Sequence, residues 1–546
     1  MGRLAASLDA FRRVFANRRV RKLFVASIGS QLGGWAYAVA LPVYAYHAGG
    51  ARAVGILFFA RFVFGAVAAP WLGFVVDRLS RRQLMLWTDI ARAGIFAGMT
   101  VVAATGGNAY AVYVLAIAST VLAGAYQPAQ AALVPSLVDT PEELTAANVV
   151  SNTISSVGMF AGPALGGVLL ALSGPTAVFA FNGALLVWSA AFVVQLPRDP
   201  PPERPERPHL LSELTAGFTT VFGKPALRVV IGLTGAQTLT SGALEVLLVV
   251  LALQLLHSGN AGVGWLNAAI GVGSFVGAFV VAAIASRRRL ATAFAFGIVL
   301  SVIPIALTAA VSTLGLALLL FGFVGAGSVL EEVAGITLLQ RSAQNEVLGR
   351  VFAVSETVIL GALALGSLLA YPLISWLSPR GALVATGLSV PVLLLPLLPS
   401  LRRIDNEAAI EVEPLELLRK IAIFTQLPEP ILERLAAGAT AISTAADQVV
   451  VERGEAGRYF YAIASGRVAV ELDEGETREL GPGEGFGEIA LLRDVPRTAT
   501  VRALEPLRLF AVERDDFLAA VTGHAPTLAA AETVVMSRLP AGRLAG

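Results

Sequence analysis

Near the end of the 546-residue chain runs GEGFGEIALLRDVPRTATVRA, residues 483–503. Gly483, Gly485 and Gly487 let a backbone turn tightly and come close to a ligand. EIALLR reads as one short helix, entered through Gly487, Glu488, Ile489 and Ala490. Its first N–H groups would point into the turn and favour a phosphate there. Arg497 offers a planar fork of donors to such a phosphate. Glu488 can accept hydroxyl donors like those of a ribose. Thr498 adds a hydroxyl beside the arginine, Ala499 follows it, and Pro496 stiffens the approach. The set suits a sugar phosphate with one negative charge. No base or nucleophile is placed for bond chemistry, so the stretch reads as binding rather than catalytic. The plainer alternative is a hairpin loop with a surface Glu–Arg pair.

The elements that must hold this loop lie around it. Residues 404–546 carry frequent charges and no apolar run of membrane length. PLELLRKIAIFTQLPEPILERLAAG reads as helix. QVVVERG, YFYAIASGRVAVEL, ATVRAL and LRLFAVE read as short strands between Gly and Pro breaks. Residues 525–539 read as a closing helix. A small α+β domain with a sheet-on-sheet, jelly-roll-like core is expected.

The preceding 400 residues are different in kind. The whole chain is 56% hydrophobic and only 14% charged, against about 25% charged in soluble domains. No soluble fold hides that much apolar surface, so a polytopic membrane protein is expected. There is no cysteine, which removes disulfides, thiolate metal sites and cysteine nucleophiles. Apolar runs of membrane length cover 22–46, 53–76, 84–104, 109–134, 146–171 and 176–195. After a Pro- and charge-rich linker, 196–227, six more cover 228–255, 262–285, 289–311, 313–338, 348–376 and 380–400. The fold class is thus an all-α domain of twelve transmembrane helices in two six-helix halves, plus the small α+β domain.

Basic residues set the expected orientation. They crowd one set of breaks: Arg18, Arg19, Arg21 and Lys22; Arg78, Arg81 and Arg82; Arg198, Arg204 and Arg207; Arg287 to Arg289; Arg341 and Arg350; Arg402 and Arg403. The alternate breaks hold little beyond Arg52 and Arg380. Both termini and the linker are expected in the cytoplasm, in the cell membrane. The first twenty residues lack a secretory apolar core. SRRQL at 80–84 is echoed by SRRRL at 286–290, as a duplicated six-helix unit would produce.

Two motifs stand out in the apolar part. In GFVVDRLSRR, 73–82, Gly73 and Asp77 share a helix face, and Arg78 and Arg81 follow. In GMFAGPALGG, Gly158, Gly162, Gly166 and Gly167 make a smooth face for close helix packing, and Pro163 permits a bend. With the twelve spans and the central linker, these resemble the major facilitator superfamily, the glycine motif resembling its antiporter motif. YQPAQAALVPSLV, 126–138, and TAANVVSNTISS, 145–156, resemble the macrolide and siderophore exporter branch. The resemblance covers roughly 20–400. It implies that Asp77 and Arg81 belong to a cytoplasmic gating loop, and that Gly162 and Pro163 shape the fifth helix as the halves rock. The second-half copy departs from the pattern, with Ala283 in place of Asp77. Charges within a bilayer are costly and default to functional candidates. Glu245, Glu331, Glu332 and Glu356 are therefore the candidates for proton coupling, and Arg61 also lies within a span. The plainer reading places some of them at helix ends or in structural pairs.

The opening stretch, as F-G-E-I-A-L-L-x-x-x-P-R-T-A-T-V, closely resembles the phosphate-binding cassette of cyclic nucleotide-binding domains. IFTQLPEPILERLA, 423–436, resembles that family's N-terminal helix, and Gly454, Tyr461, Ser465 and Gly466 match its strand-turn pattern. The resemblance implies that Glu488 accepts the ribose 2′-hydroxyl and Arg497 binds the cyclic phosphate. Backbone N–H groups around Gly487, Ala490 and Ala499 would complete the cradle. Thr498 stands where a threonine favours cGMP in some members; the reading leans slightly to cAMP. Val535, Met536 and Leu539 are the candidate lid residues.

The expected layout is a cytoplasmic segment 1–21, a transporter 22–400 (22–195, 196–227 and 228–400), a linker 401–414 and a nucleotide-binding domain 415–540. The expected function is a secondary active, proton-coupled small-molecule exporter regulated by cAMP or cGMP. It would need no cofactor beyond that regulatory nucleotide. Its partners would be the lipid bilayer, a transported small molecule and the nucleotide, with no nucleic acid. The rivals are a lysophospholipid flippase with the same sensor and a transport-inactive membrane receptor. An enzyme is not expected.

Overall fold

The computed structural model describes residues 15–538, apart from 77, 139, 198–217, 285–289, 344, 411 and 473–476. Residues up to Arg402 form one compact unit and those from Arg403 a second.

Among its described residues the first unit is built of helices. Its helices are α1 (Arg18–Val76), α2 (Arg81–Ala104), α3 (Ala109–Ala123), α4 (Tyr126–Leu133) and α5 (Pro141–Val193) in the first half. The second half holds α6 (Pro225–Val250), α7 (Gly259–Ile284), α8 (Leu290–Leu307), α9 (Leu314–Ser342) and α10 (Asn345–Leu394). Among the described residues, nine helical stretches are long and apolar enough to cross a bilayer. Three are double-length and break sharply inside: α1 at Gly49 and Gly50, α5 at Gly174, and α10 at Ser378. Each break makes two spans, so twelve membrane-length segments result. The breaks fall where the sequence offers Gly-Gly, Gly-Pro or Ser-Pro, residues that interrupt a helix within one or two positions.

Helices pack closely where side chains are smallest. On α5, a β-carbon built at Gly162 would fall 2.4 Å from the Trp35 β-carbon of α1, and one at Gly166 would fall 2.8 Å from the Ala36 carbonyl oxygen. Gly167, next along, faces the other half. A β-carbon built at Gly264 of α7 would meet its Cα at 2.4 Å. The glycine motif therefore serves two contacts at once, with Pro163 inside the same helix. Gly166→Val should destabilise the bundle by about 1–3 kcal/mol, the usual cost of overpacking. It should be read as a lower melting temperature in detergent, with Gly166→Ala milder.

The second unit starts in helix: α11 (Leu398–Ile410) enters it, followed by α12 (Val412–Lys420) and α13 (Glu429–Gly438). Residues 401–410, expected as a linker, are thus helical. Eight strands follow: β1 (Thr440–Thr444), β2 (Val449–Val451), β3 (Tyr459–Ser465), β4 (Val468–Glu471), β5 (Thr477–Leu480), β6 (Gly485–Phe486), β7 (Thr500–Ala503) and β8 (Leu507–Glu513). They form two four-stranded sheets, ordered β1-β8-β3-β6 and β2-β7-β4-β5. All pairs are antiparallel, with Tyr461 opposite Ala511 and Val470 opposite Val501. This is a jelly-roll-like sandwich. Its inner faces meet through Ile463, Val468, Val501 and Leu509, all buried. A second core joins the helices to the sheet, where Phe424, Phe460 and Phe517 pack ring on ring. The short helix α14 (Glu488–Arg493) interrupts the strands, and α15 (Arg514–Thr522) and α16 (Ala525–Arg538) close the unit.

Candidate functional site: an anion cradle in the C-terminal unit

The loop from β6 into α14 is shaped by Gly487. Its φ is +97°, a left-handed conformation that side chains resist, and a β-carbon there would fall 2.5 Å from the Arg497 guanidinium. Glycine is therefore required twice over, by backbone and by space. The turn delivers Glu488 to the first position of α14 with 1% exposure.

All seven residues singled out in the sequence, Gly487 to Ala490 and Arg497 to Ala499, border one cavity. The cavity measures about 100 Å³ and is also lined by Phe486 and Arg538.

Arg497 reaches the cavity from the loop before β7. It is buried, donating to the Gly487 carbonyl at 3.1 Å and the Tyr459 carbonyl at 2.6 Å. Its guanidinium also lies 5.7 Å from the centre of the Tyr461 ring. Its own backbone is pinned, since the Arg497 N–H donates to the Glu455 carbonyl at 2.8 Å. Burial pulls the Arg497 pKa below its usual value, opposed by Tyr461, Glu455 and Glu488 nearby. Among the described residues no carboxylate lies within ion-pair distance of it. Its side-chain hydrogen bonds go to neutral carbonyls, and a guanidinium so placed is the kind of group that can take an anion.

Glu488 does not pair with Arg497. Its Oε1 accepts from Arg538 of α16 at 2.8 Å, while its Oε2 is buried and has no hydrogen-bond partner. The closing helix therefore meets the cavity through Arg538. Of the lid residues considered from sequence, Val535 is buried in the unit's interior and Met536 is exposed. Leu539 lies outside the described residues. Sequence reasoning misses Arg538, because the Ala-rich tail offers apolar lid residues and nothing local ties its cation to an acid fifty positions earlier.

In the helical unit the other candidates scatter. Gly73 lies on α1, Asp77 falls outside the described residues, and Arg78 is exposed just beyond the helix. Arg81 opens α2. Beside it, Arg82 donates to the Val193 and Val194 carbonyls at 3.3 and 2.5 Å, tying this loop to the end of α5. Glu245 on α6 is crowded by protein yet keeps solvent access, as a side chain facing an internal space would. Arg61 is the cation that acts on it. Arg61 itself donates to Thr120 Oγ1 at 2.9 Å and lies over the Phe58 and Tyr37 rings. Glu331 on α9 is buried beside Thr234, whereas Glu332 and Glu356 are exposed, Glu356 near enough to Glu332 to act on it.

Sequence reasoning also passed over Asp89 and Arg92 on α2. Asp89 is fully buried, and its Oδ2 accepts from Ser189 Oγ at 2.6 Å. Ser189 in turn meets the Tyr126 hydroxyl at 3.2 Å. The signal was available: DIAR puts two charges in the middle of an apolar run.

A twelve-segment helical bundle in two halves, joined to a sandwich with a buried anion cradle, defines a membrane transporter carrying a ligand-binding module. The sequence profile of the Major Facilitator Superfamily matches residues 23–367, and that of the cyclic nucleotide-binding domain matches residues 441–524. The chain belongs to the Major Facilitator Superfamily and carries a C-terminal cyclic nucleotide-binding domain. Over 347 residues it is 30% identical to the enterobactin exporter EntS of Citrobacter koseri, covering 61% of this chain and 80% of that one. Over 68 residues it is 40% identical to the cAMP-dependent protein kinase regulatory subunit of Yarrowia lipolytica, covering 12% of this chain and 18% of that one. A co-crystal structure of the regulatory domain of Toxoplasma gondii PKA with cAMP aligns at 30% identity and a TM-score of 0.21, covering 23% and 49% of the two chains. The first profile is that of a transporter family and the second that of a ligand-binding domain, and neither describes a catalytic family.

Proposed function

We propose that the chain is a proton-coupled small-molecule exporter of the cell membrane, with cytoplasmic termini, whose transport is regulated by cAMP or cGMP. The observation that carries the regulatory half is Arg497: a buried cation with no acid in ion-pair distance among the described residues, bordering the same cavity as a half-partnered Glu488. Arg497 would take the cyclic phosphate, Glu488 the ribose hydroxyl, and the backbone of Gly487 to Ala490 and Ala499 the remaining phosphate oxygens. Thr498 borders the cavity beside the arginine and offers a hydroxyl to either base. The exporter half is supported by the likeness to an exporter over most of its length. The coupling proton would be carried by the buried acids Glu331, from the sequence, and Asp89, from the structure, or by Glu245, which keeps solvent access but lies near Arg61. Glu332 and Glu356 are exposed and are the weaker candidates. Asp77, Arg78 and Arg81 would form the gate, and the α5 glycines with Pro163 the surface on which the halves move. Regulation requires that nucleotide bind the two transport states unequally.

The test is made on purified full-length protein in nanodiscs and in proteoliposomes. cAMP and cGMP are titrated calorimetrically, and proton-driven efflux of a fluorescent dye is followed with and without nucleotide. Saturable binding together with an altered efflux rate is expected. Binding with unchanged efflux would sink the regulatory claim. Efflux insensitive to the proton gradient, or unchanged by Glu245→Gln, Glu331→Gln and Asp89→Asn together, would sink proton coupling.

A further inference from the structure

Two opposite charges stand inside the helical bundle, one on each half. Arg61 belongs to α1 in the first half and Glu245 to α6 in the second. Arg61 spends one donor: its Nε bonds Thr120 Oγ1 of α3 at 2.9 Å, and its Nη groups have no hydrogen-bond partner among the described residues. The guanidinium lies 5.0 Å from the centre of the Phe58 ring and 5.6 Å from that of Tyr37. From Leu233 to the end of α6, Glu245 is the one exposed residue. A helix so enclosed by protein reaches solvent there through an internal space. Arg61 is near enough for its charge to act on Glu245, and α1 meets α6 beside them, where a β-carbon at Gly55 would fall 3.9 Å from Val246 Cγ2. Yet among the described residues neither charge has an opposite charge at ion-pair distance, and Glu245 accepts no hydrogen bond. A charge held in a membrane bundle without a counter-ion is costly and marks a ligand or ion path.

We propose that the transported molecule is a small zwitterion, its carboxylate taken by Arg61 and its ammonium by Glu245, so that it bridges the two halves. The inference rests on the exporter reading above and names its substrate class. The two free Nη groups of Arg61 form the planar fork that takes a carboxylate bidentately. Thr120 fixes the Nε edge, and the rings of Phe58 and Tyr37 support the cation. The pair also rejects other charge types. A molecule with a carboxylate alone meets Arg61 but is repelled by Glu245, and an amine alone meets the reverse. A neutral molecule leaves both charges unmatched. A zwitterion matches both and adds no net charge to the bundle. With the ammonium on Glu245, the coupling proton falls to Glu331 or Asp89.

The experiment uses full-length protein in nanodiscs, titrated with glycyl-phenylalanine, its C-terminal amide and its N-acetyl form. Wild type should prefer the free dipeptide over each blocked form by roughly tenfold or more, as expected of hydrogen bonds to charged groups. Arg61→Gln should cut the preference over the amide to within about twofold, the scatter of independent contributions, and keep the preference over the N-acetyl form. Glu245→Gln should do the reverse. Arg61→Lys, which keeps the charge, should retain part of the preference over the amide and serves where Arg61→Gln fails to fold. Equal losses for all three ligands in both variants would make the two charges structural and overturn the inference. A wild type that binds the three alike, or binds none of them, would overturn it too. Dye efflux from proteoliposomes of the same protein separates the two readings. Efflux without dipeptide binding leaves an exporter of another substrate class, whereas absence of both sinks the exporter reading itself.

Discussion

Arg497→Ala should lower affinity for cyclic nucleotide by at least about thirtyfold. Removing one partner of a desolvated charge pair costs about 2–5 kcal/mol, and tenfold in affinity is about 1.4 kcal/mol. The guanidinium also donates to the carbonyls of Gly487 and Tyr459. Truncation thus strips donors from the turn that forms the cradle, a cost of about 1–3 kcal/mol for each buried group left unmet. Two losses therefore add, and two variants separate them. Arg497→Lys keeps the positive charge but not the planar fork, so it should keep more affinity than alanine does. Arg497→Gln keeps donors for the carbonyls but not the charge, so it should protect the turn and still lose the phosphate. Calorimetry with cAMP, alongside hydrogen exchange of the 486–490 amides, reads both effects. Wild-type affinity in the alanine variant would remove Arg497 from the site.

Phe460→Ala should be the most damaging single change to the stability of the C-terminal unit, at about 3–5 kcal/mol. Phe460 is fully buried. Its ring lies 4.9 Å from Phe517 in a stacked arrangement and 5.4 Å from Phe424 edge-on. One residue thus joins strand β3 to the helical layers before and after the sandwich. It also abuts the cradle, since a β-carbon at Gly485 would fall 2.4 Å from its ring. The expected readout is loss of hydrogen-exchange protection across β3 and β8 while α1 to α10 stay protected. Nucleotide at a hundred times its dissociation constant should return about 2.7 kcal/mol to any variant that still binds. Equal loss of protection in the helical unit would show that the two units unfold together.

Much of this molecule was legible in the sequence because its two parts obey strong, different rules. A bilayer demands about twenty apolar residues per span, so the twelve runs and their approximate limits could be counted. What could not be counted was which runs would be joined. Gly49–Gly50, Gly174 and Ser378 break the helix over only one or two residues, so two runs meet with almost no loop between them. In the sandwich, the strands rich in branched and aromatic residues were visible, as in Tyr459–Ser465 and Leu507–Glu513. Strands β1, β5 and β6 were not. TAIST and TREL are polar, and Gly485–Phe486 is two residues long; each is a strand only because a neighbour pairs with it.

The site divides the same way. Its local part, from Gly487 to Ala499, lies in a single loop whose glycines and arginine announce it. The pairing of Arg538 with Glu488 spans fifty positions and depends on where the last helix comes to rest. Asp89 was hidden differently: its partners, Ser189 and Tyr126, are residues that membrane helices use everywhere, and only their convergence sets it apart. Within the expected linker 401–414, residues 401–410 are helical, as Leu, Arg, Glu and Ala favour.

The contact of Gly167 with Gly264 has a further meaning. Most helix pairs interlock by ridges in grooves, and sliding one past the other means lifting each side chain out of its notch. Here backbone rests on backbone, and neither residue has a rotamer to reset. Such a contact has no detent. It leaves no room for an added methyl group at Gly264, whose β-carbon would fall 2.4 Å from the Gly167 Cα, while one at Gly167 would need its neighbours to give by only a few tenths of an ångström.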